Sequence, residues 1–250
     1  MLERKGRERE GKFLVEGLRM VREAVKKPGI VEHIMVSCDV AEEIVQEFSS
    51  RVPAVHKIKP ELAREISDTQ SPSGIVAVCR KPSWGWQEVP TSNGLVLLID
   101  NLRDPGNLGT ILRTAWAAGV NAAFLLKGTV DVYNPKVIRS SMGAVFFLPV
   151  FEKVGNDGIR DLCRMGYRLL VADPKASLLF TEADYSGNVA VVVGGETTGI
   201  SRVFEEFSAL KVRIPLREGV DSLNAAVACG IILYEAWRKR ELVRQDSRVL

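Results

Sequence analysis

An α/β fold in two parts is what this 250-residue sequence predicts, and three patterns predict it. Short β-rich runs alternate with segments of helical periodicity along the chain. The runs of the second half are apolar throughout, as strands of a mostly parallel sheet covered on both faces must be. Between the halves, Lys81-Pro-Ser-Trp-Gly-Trp-Gln-Glu-Val-Pro-Thr-Ser-Asn-Gly94 is dense in Pro, Gly and small polar residues, the composition of a boundary. The expected organisation is a small α/β domain (1–82), a linker (83–94) and a parallel-sheet domain (95–250).

In the first half, Glu16 to Lys26 places Leu18, Val21 and Val25 at helical spacing, and Val31 to Val36 is a short strand. Ala41 to Ser49 reads as helix, Ala54 to Ile58 as strand, Pro60 to Ile66 as helix and Gly74 to Cys79 as strand. Trp84 and Trp86 anchor the linker onto one of the domains. In the second half, Leu95–Ile99, Ala122–Leu126, Tyr167–Ala172 and Val189–Val193 are buried-type strands, and Lys211–Ile214 is a last short one. Helices are expected at Leu108–Ala118, Pro135–Ser141, Asn156–Arg164 and, at the end, Leu223–Arg240.

Composition narrows the function classes. Apolar residues are 46% and charged residues 26%, ordinary globular usage that excludes disordered and fibrous architectures. The net charge of +3 is mildly basic and permits a nucleic-acid partner. Residues 1–27 hold nine Lys/Arg against five Glu, and residues 237–250 hold five against two acids. No uncharged apolar run approaches the ~18 residues of a membrane span, and the N-terminus has no signal-like core. A soluble, cytoplasmic protein without a membrane partner is expected. Cys38, Cys79, Cys163 and Cys229 are scattered, with only His33 and His56 to join them, so we expect no metal site and four reduced, buried cysteines.

Three segments look too specialised for packing alone. Asn101-Leu-Arg-Asp-Pro-Gly-Asn-Leu-Gly-Thr-Ile-Leu-Arg-Thr-Ala115 follows a buried strand and opens a helix, where open α/β sheets place their ligands. Asp104-Pro-Gly supplies a tight turn, and Asn107 is a candidate cap. Arg113 lies 240° further round the helix, so it shares a mouth with Asn107 only if Asn107 stands before the helix proper. Val189-Ala-Val-Val-Val-Gly-Gly-Glu-Thr-Thr-Gly-Ile-Ser201 runs a buried strand into a glycine-rich turn. The middle glycine of a dinucleotide-binding turn falls on Glu196, whose carboxylate would repel a pyrophosphate. Such a turn suits a ligand with hydroxyls, amines or a positive centre, and disfavours a nucleotide-cofactor oxidoreductase. Ile214-Pro-Leu-Arg-Glu-Gly-Val-Asp-Ser-Leu-Asn-Ala-Ala-Val-Ala228 ends a strand and opens the last helix. Ser222 or Asp221 is the candidate cap, Asn224 is left to bond outside the core, and Ala225, Ala226, Ala228 and Gly230 allow tight packing.

Together these segments resemble, in order, the three signature motifs of the SpoU (TrmH-type) RNA ribose 2′-O-methyltransferases of the SPOUT superfamily. Asn134-Pro-Lys-Val-Ile-Arg-Ser-Ser-Met-Gly-Ala144 is similar to the same family. Arg4-Lys-Gly-Arg-Glu-Arg-Glu-Gly-Lys-Phe-Leu-Val-Glu-Gly17 and Ser67-Asp-Thr-Gln-Ser-Pro-Ser-Gly74 are similar to its substrate-binding domain, itself like a small ribosomal RNA-binding protein. Thr197-Thr198 departs from the Gly or Lys common in relatives, which we expect to alter loop contacts rather than activity.

The resemblance implies a parallel-sheet SPOUT domain with a C-terminal trefoil knot, S-adenosylmethionine as cofactor and a homodimer packed across the site. By position, Gly194, Gly195, Glu196, Gly199, Ile214, Leu216, Ser222 and Leu223 should build the cofactor pocket. Asn107, Arg113, Glu196, Ser222 and Asn224 should act on the ribose. A guanidinium stays protonated in proteins, so Arg113 is expected to donate to phosphate and to the developing oxyanion rather than act as base. Arg4, Lys5, Arg7, Arg9 and Lys12 are expected to dock RNA. The preceding ribosomal-protein-like domain favours 23S ribosomal RNA over transfer RNA. A transfer-RNA ribose 2′-O-methyltransferase and a non-catalytic RNA-binding or ribosome-assembly protein are the alternatives.

Overall fold

The computed structural model describes residues 1, 3–69, 72–195 and 199–246. The chain divides into two compact units, Met1–Ser83 with Asp131–Phe147, and Trp84–Val130 with Leu148–Leu250. The segment 131–147, counted with the second half on sequence, therefore joins the first unit. The stretch expected as a linker belongs to the second unit from Trp84 onward.

The first unit carries a four-stranded mixed sheet made of β1 (Lys12–Glu16), β2 (Val31–Ser37), β3 (Val55–Ile58) and β4 (Ile75–Arg80), in the order β1-β4-β2-β3. β4 lies antiparallel to both β1 and β2, and β3 is parallel to β2. Around the sheet are α1 (Arg4–Glu10), α2 (Leu18–Val25), α3 (Glu42–Ser49), α4 (Pro60–Glu65), α6 (Pro135–Ser141) and α7 (Ala144–Phe147). β1 went unread because its two inward residues, Phe13 and Val15, alternate with only half-buried ones over five positions. α1 went unread because it is polar and shows no apolar stripe.

The segment 131–147 completes this unit's core. The Phe13 ring lies 4.7 Å from Tyr133 and 6.3 Å from Phe146. Arg7 donates from Nη2 (2.7 Å) and Nε (3.0 Å) to Asp131 Oδ2, while Asp131 Oδ1 accepts from the Tyr133 amide. Both charged side chains are buried, at 5% and 7% exposure. This corrects one expectation: Arg7 is a core residue and is closed to phosphate. Two charges withdrawn from water hold only while each has its partner.

The second unit is built on a seven-stranded parallel sheet. Its strands are β5 (Leu95–Asp100), β6 (Ala122–Leu126), β7 (Val150–Val154), β8 (Arg168–Ala172), β9 (Leu178–Leu179), β10 (Val189–Gly194) and β11 (Leu210–Arg213), in the order β7-β6-β5-β10-β8-β11-β9. β5 and β6 are buried at every residue and β10 at all but Gly194, as apolar central strands between helical layers should be. The helices are α5 (Pro105–Ala117), α8 (Asn156–Arg164) and α9 (Ala225–Asp246). Trp86 packs 5.6 Å from Phe124 and 5.8 Å from Phe151, anchoring its segment as expected. A Cβ added at Gly230 of α9 would stand 3.5 Å from Thr114 Cγ2 on α5, ordinary contact, so the packing of these two helices does not require glycine there. The edge strands β7 and β9, one partly polar and one of two residues, left too little pattern to read.

Cys79 and Cys229 are buried, Cys163 is half-buried and Cys38 is exposed, so the expectation of four buried cysteines fails at Cys38. Burial pushes the Cys229 thiol up to about 12, the behaviour of an inert apolar residue. Among the described residues no helix is long and apolar enough to cross a membrane, and no cluster of three His, Cys, Asp or Glu could hold a metal ion.

Removing either member of the buried pair, by Arg7→Met or Asp131→Leu, should cost the fold about 3–5 kcal/mol in urea unfolding. The double variant should recover most of that loss.

Candidate active site

The connection after β5 goes to β6 on one side, while the other neighbour of β5 is β10. The carboxyl ends of β5 and β10 therefore sit side by side where the strand order reverses, the usual mouth of an open parallel sheet. Gly194 is in register with Asp100, and the Gly195 amide donates to the Asp100 carbonyl at 3.0 Å. Past the turn, the chain returns to the same residue. The Ser201 amide donates to Asp100 Oδ2 at 2.6 Å, and the Ser201 hydroxyl bonds the same oxygen. Asp100 is 2% exposed, so one buried carboxylate closes the base of the turn that follows β10.

Glycine is needed here for space. A Cβ on Gly195 would stand 2.5 Å from the Asn101 carbonyl oxygen, and one on Gly194 would stand 2.6 Å from the Gly199 carbonyl oxygen. Gly195 and Gly199 pair as an isolated bridge across the turn. Glu196, Thr197 and Thr198 lie outside the described residues. The turn is followed by a short 3-10 segment, Arg202–Glu205.

One cavity of about 170 Å³ opens at the carboxyl ends of β8, β10 and β11, closed by the start of α9. Of the expected pocket residues, Gly194, Gly195, Gly199, Ile214, Leu216, Ser222 and Leu223 line it. Sequence reasoning missed the contribution of β8: Ala172, Asp173 and Pro174 form part of the wall. The available signal was an Asp-Pro pair directly after a buried strand; the other Asp-Pro of this unit's motifs, Asp104-Pro105, follows β5 after three intervening residues.

The helix caps differ from expectation at both ends of the site. Asp104 caps α5, its Oδ1 accepting from the Asn107 amide at 2.6 Å, so Asn107 stands inside the first turn. Asn224 caps α9, its Oδ1 accepting from the amides of Ala226 (3.0 Å) and Val227 (3.3 Å), in place of Ser222 or Asp221. The Asn224 amide nitrogen then donates to Asn107 Oδ1 at 3.0 Å, joining the first motif to the third. Both asparagines thus have a structural task as well as a position at the mouth. Arg113, two turns into α5, is exposed, points around the helix from Asn107 and does not line the cavity.

Asp100→Ala should open the turn without unfolding the sheet. We expect a loss of about 1–3 kcal/mol from the stranded Ser201 donors, read as faster amide hydrogen exchange at Gly195 and Ser201 with β5 and β6 still protected.

Residues 94–234 match the model of the SpoU rRNA Methylase family, and residues 1–77 match that of the MRM3-like substrate binding domain. The Bacillus subtilis 23S rRNA (guanosine(2553)-2′-O)-methyltransferase RlmP is 33% identical over 231 residues, 92% of this chain and 90% of that protein. The mouse mitochondrial rRNA methyltransferase 3 is 32% identical over 295 residues, 96% of this chain and 70% of that protein. Among solved structures, the SpoU methyltransferase AviRb from Streptomyces viridochromogenes, crystallised with the cofactor AdoMet, matches with a TM-score of 0.87. It is 29% identical and covers 95% of this chain and 94% of its own. With a sheet, a motif-built cavity and a family model spanning more than half its length, this chain belongs to the SpoU rRNA methylase family.

Proposed function

We propose that this protein methylates a ribose 2′-hydroxyl of RNA from S-adenosylmethionine, with 23S ribosomal RNA as the substrate. The observation that carries this reading is the cavity of the second and third motifs, tied to the first motif through Asn107 and Asn224. The named activity of the Bacillus relative supports ribosomal RNA as the class of substrate.

The cavity wall fits this cofactor chemically. Among the described residues it offers glycine backbone, aliphatic side chains, Ser222 and the carboxylate of Asp173, with no Lys or Arg. A nucleoside bearing a positive sulfonium and no phosphate needs such a wall, whereas a dinucleotide would need cations or a phosphate-binding nest. Gly194, Gly195, Gly199, Ile214, Leu216, Ser222 and Leu223 would hold it, and Glu196, outside the described residues, is the further candidate. When bound, the cofactor supplies an electrophilic methyl group.

The remaining chemistry falls to the chain. A ribose hydroxyl is a weak nucleophile while protonated, so it must be oriented and its developing charge met by a donor. Asn107 and Asn224 hold the mouth in shape, and Ser222 stands on the cavity wall to orient the sugar. Arg113 serves as the donor to phosphate and to the 2′-oxygen, and the proton leaves through phosphate or water. Because Arg113 faces solvent on α5, this role calls for a second copy to close the site. Trp116 on α5 and Val227, Tyr234 and Trp237 on α9 are exposed apolar residues suited to that contact. Val227 and Tyr234 share one helical face, and the Tyr234 and Trp237 rings lie 6.3 Å apart. We therefore read the working form as a homodimer. The C-terminal segment is read as a trefoil knot, a reading that rests on the family. We read the location as cytoplasmic, in keeping with the bacterial relative.

In the first unit, Arg4, Lys5, Arg9 and Lys12 remain the candidates for docking RNA. Arg4, Arg9 and Lys12 sit 3.1, 2.8 and 2.6 Å from Glu8, Glu10 and Glu32. The first two are exposed pairs, which are weak and can be exchanged for phosphates, whereas Lys12 is held by the largely buried Glu32 and is the less available of the three.

Incubation with methyl-labelled S-adenosylmethionine and unmodified 23S ribosomal RNA or transfer RNA tests the reading. Label at one ribose 2′-oxygen of the ribosomal RNA, located by nuclease mapping, is expected; label only in transfer RNA, or in neither, would overturn it. In the same assay Arg113→Ala should lower turnover about 10²- to 10³-fold while cofactor affinity stays within about twofold, as befits a donor used at the transition state.

A further inference from the structure

Among the described residues lining the cavity, Asp173 is the one with a formally charged side chain. It follows β8, which lies between β10 and β11, so sheet order rather than any motif brings it to the wall. Its carboxylate is fixed from two directions. Oδ1 accepts from the Lys175 amide at 2.9 Å, and Oδ2 pairs with Lys211 Nζ at 3.1 Å. Burial, which alone would raise its pKa, is outweighed by the Lys175 amide and the Lys211 ammonium, which hold it below the usual carboxylate range. The group is thus an anion throughout the neutral range.

We propose that Asp173 makes the cavity prefer a cationic nucleoside to its neutral counterpart, so that the sulfonium of S-adenosylmethionine is held more tightly than the thioether S-adenosylhomocysteine. This rests on the methyltransferase reading above. The two ligands share adenine, ribose and amino-acid groups, and the aliphatic side chains of the wall have no means of telling them apart. A fixed negative charge does, because its field acts across a low-dielectric cavity. Lys211, paired with Asp173 but outside the cavity lining, opposes this field. Its side chain is 49% exposed against 25% for Asp173, so water and salt screen it more. On methyl transfer the S–CH3 bond breaks, its electron pair stays on sulfur and the methyl carbon bonds the ribose oxygen, whose proton passes to phosphate or water. The positive charge leaves the cavity with that step, and the attraction of Asp173 for what remains goes with it. The wall thereby favours arrival of the donor and departure of its product.

Calorimetric titration of the full chain with S-adenosylmethionine, S-adenosylhomocysteine and sinefungin, which carries an ammonium in place of the sulfonium, tests this. Asp173→Asn should cut the preference for the two cationic ligands over the thioether by about threefold to tenfold, the scale of one partly screened charge. Lys211→Gln should raise the same preference by removing the opposing charge. An unchanged preference in both variants, or equal weakening of all three ligands in Asp173→Asn, would overturn the proposal. Failure of the unaltered protein to bind any of the three would instead overturn the methyltransferase reading.

Discussion

The site depends on the buried carboxylate of Asp100. It ends a strand that is apolar at every other position, and it accepts both the amide and the hydroxyl of Ser201 across the turn after β10. Charge-assisted bonds of this kind are stronger than neutral ones, and burial removes the water that would compete for them. Fixing that turn fixes the backbone of Gly194 and Gly195, which form one wall of the cavity. The opposite wall is the chain between β11 and α9, and it is held to the first motif by the Asn224–Asn107 bond. Three loops far apart in sequence are thus joined by hydrogen bonds that need particular side chains. Packing alone would leave them free to separate.

Legibility in the sequence followed how local the determinant was. β5, β6 and β10 were readable because an uninterrupted apolar run has few other uses. α6 and α8 were readable to their bounds, α6 because Asn134-Pro135 marks a capped start. β7, β9 and α1 were not, since an edge strand or a solvated helix owes its place to neighbours rather than to its own pattern. The same division runs through the site. Gly194, Gly195, Gly199, Ile214, Leu216, Ser222 and Leu223 belong to motifs that carry their own turn chemistry, and they share one cavity. Asp173 belongs to no motif and reaches the wall only through the order of parallel strands, which periodicity does not encode. The caps show a subtler loss. Each motif offers several residues able to cap, and the choice of Asp104 and Asn224 was fixed by geometry at the strand ends.

Charge in the first unit teaches a related lesson. A run of Arg, Lys and Glu near the N-terminus has the look of a phosphate-binding surface, yet Arg7 within it is spent on Asp131 in the core. The partner is 124 residues away and belongs to a segment that leaves the second unit to complete the first. Net charge over a window counts such a residue as surface, whereas its burial removes it from any long-range field. The basic surface of this unit is accordingly smaller than its composition implies.

A crystal structure of the protein grown with S-adenosylmethionine tests the central claim most directly. The account predicts the cofactor seated against Gly194, Gly195, Ile214, Leu216 and Leu223, with the Asp100–Ser201 and Asn107–Asn224 bonds intact. A cofactor bound elsewhere on the chain, or a cavity left empty at saturating concentration while those bonds persist, would contradict it.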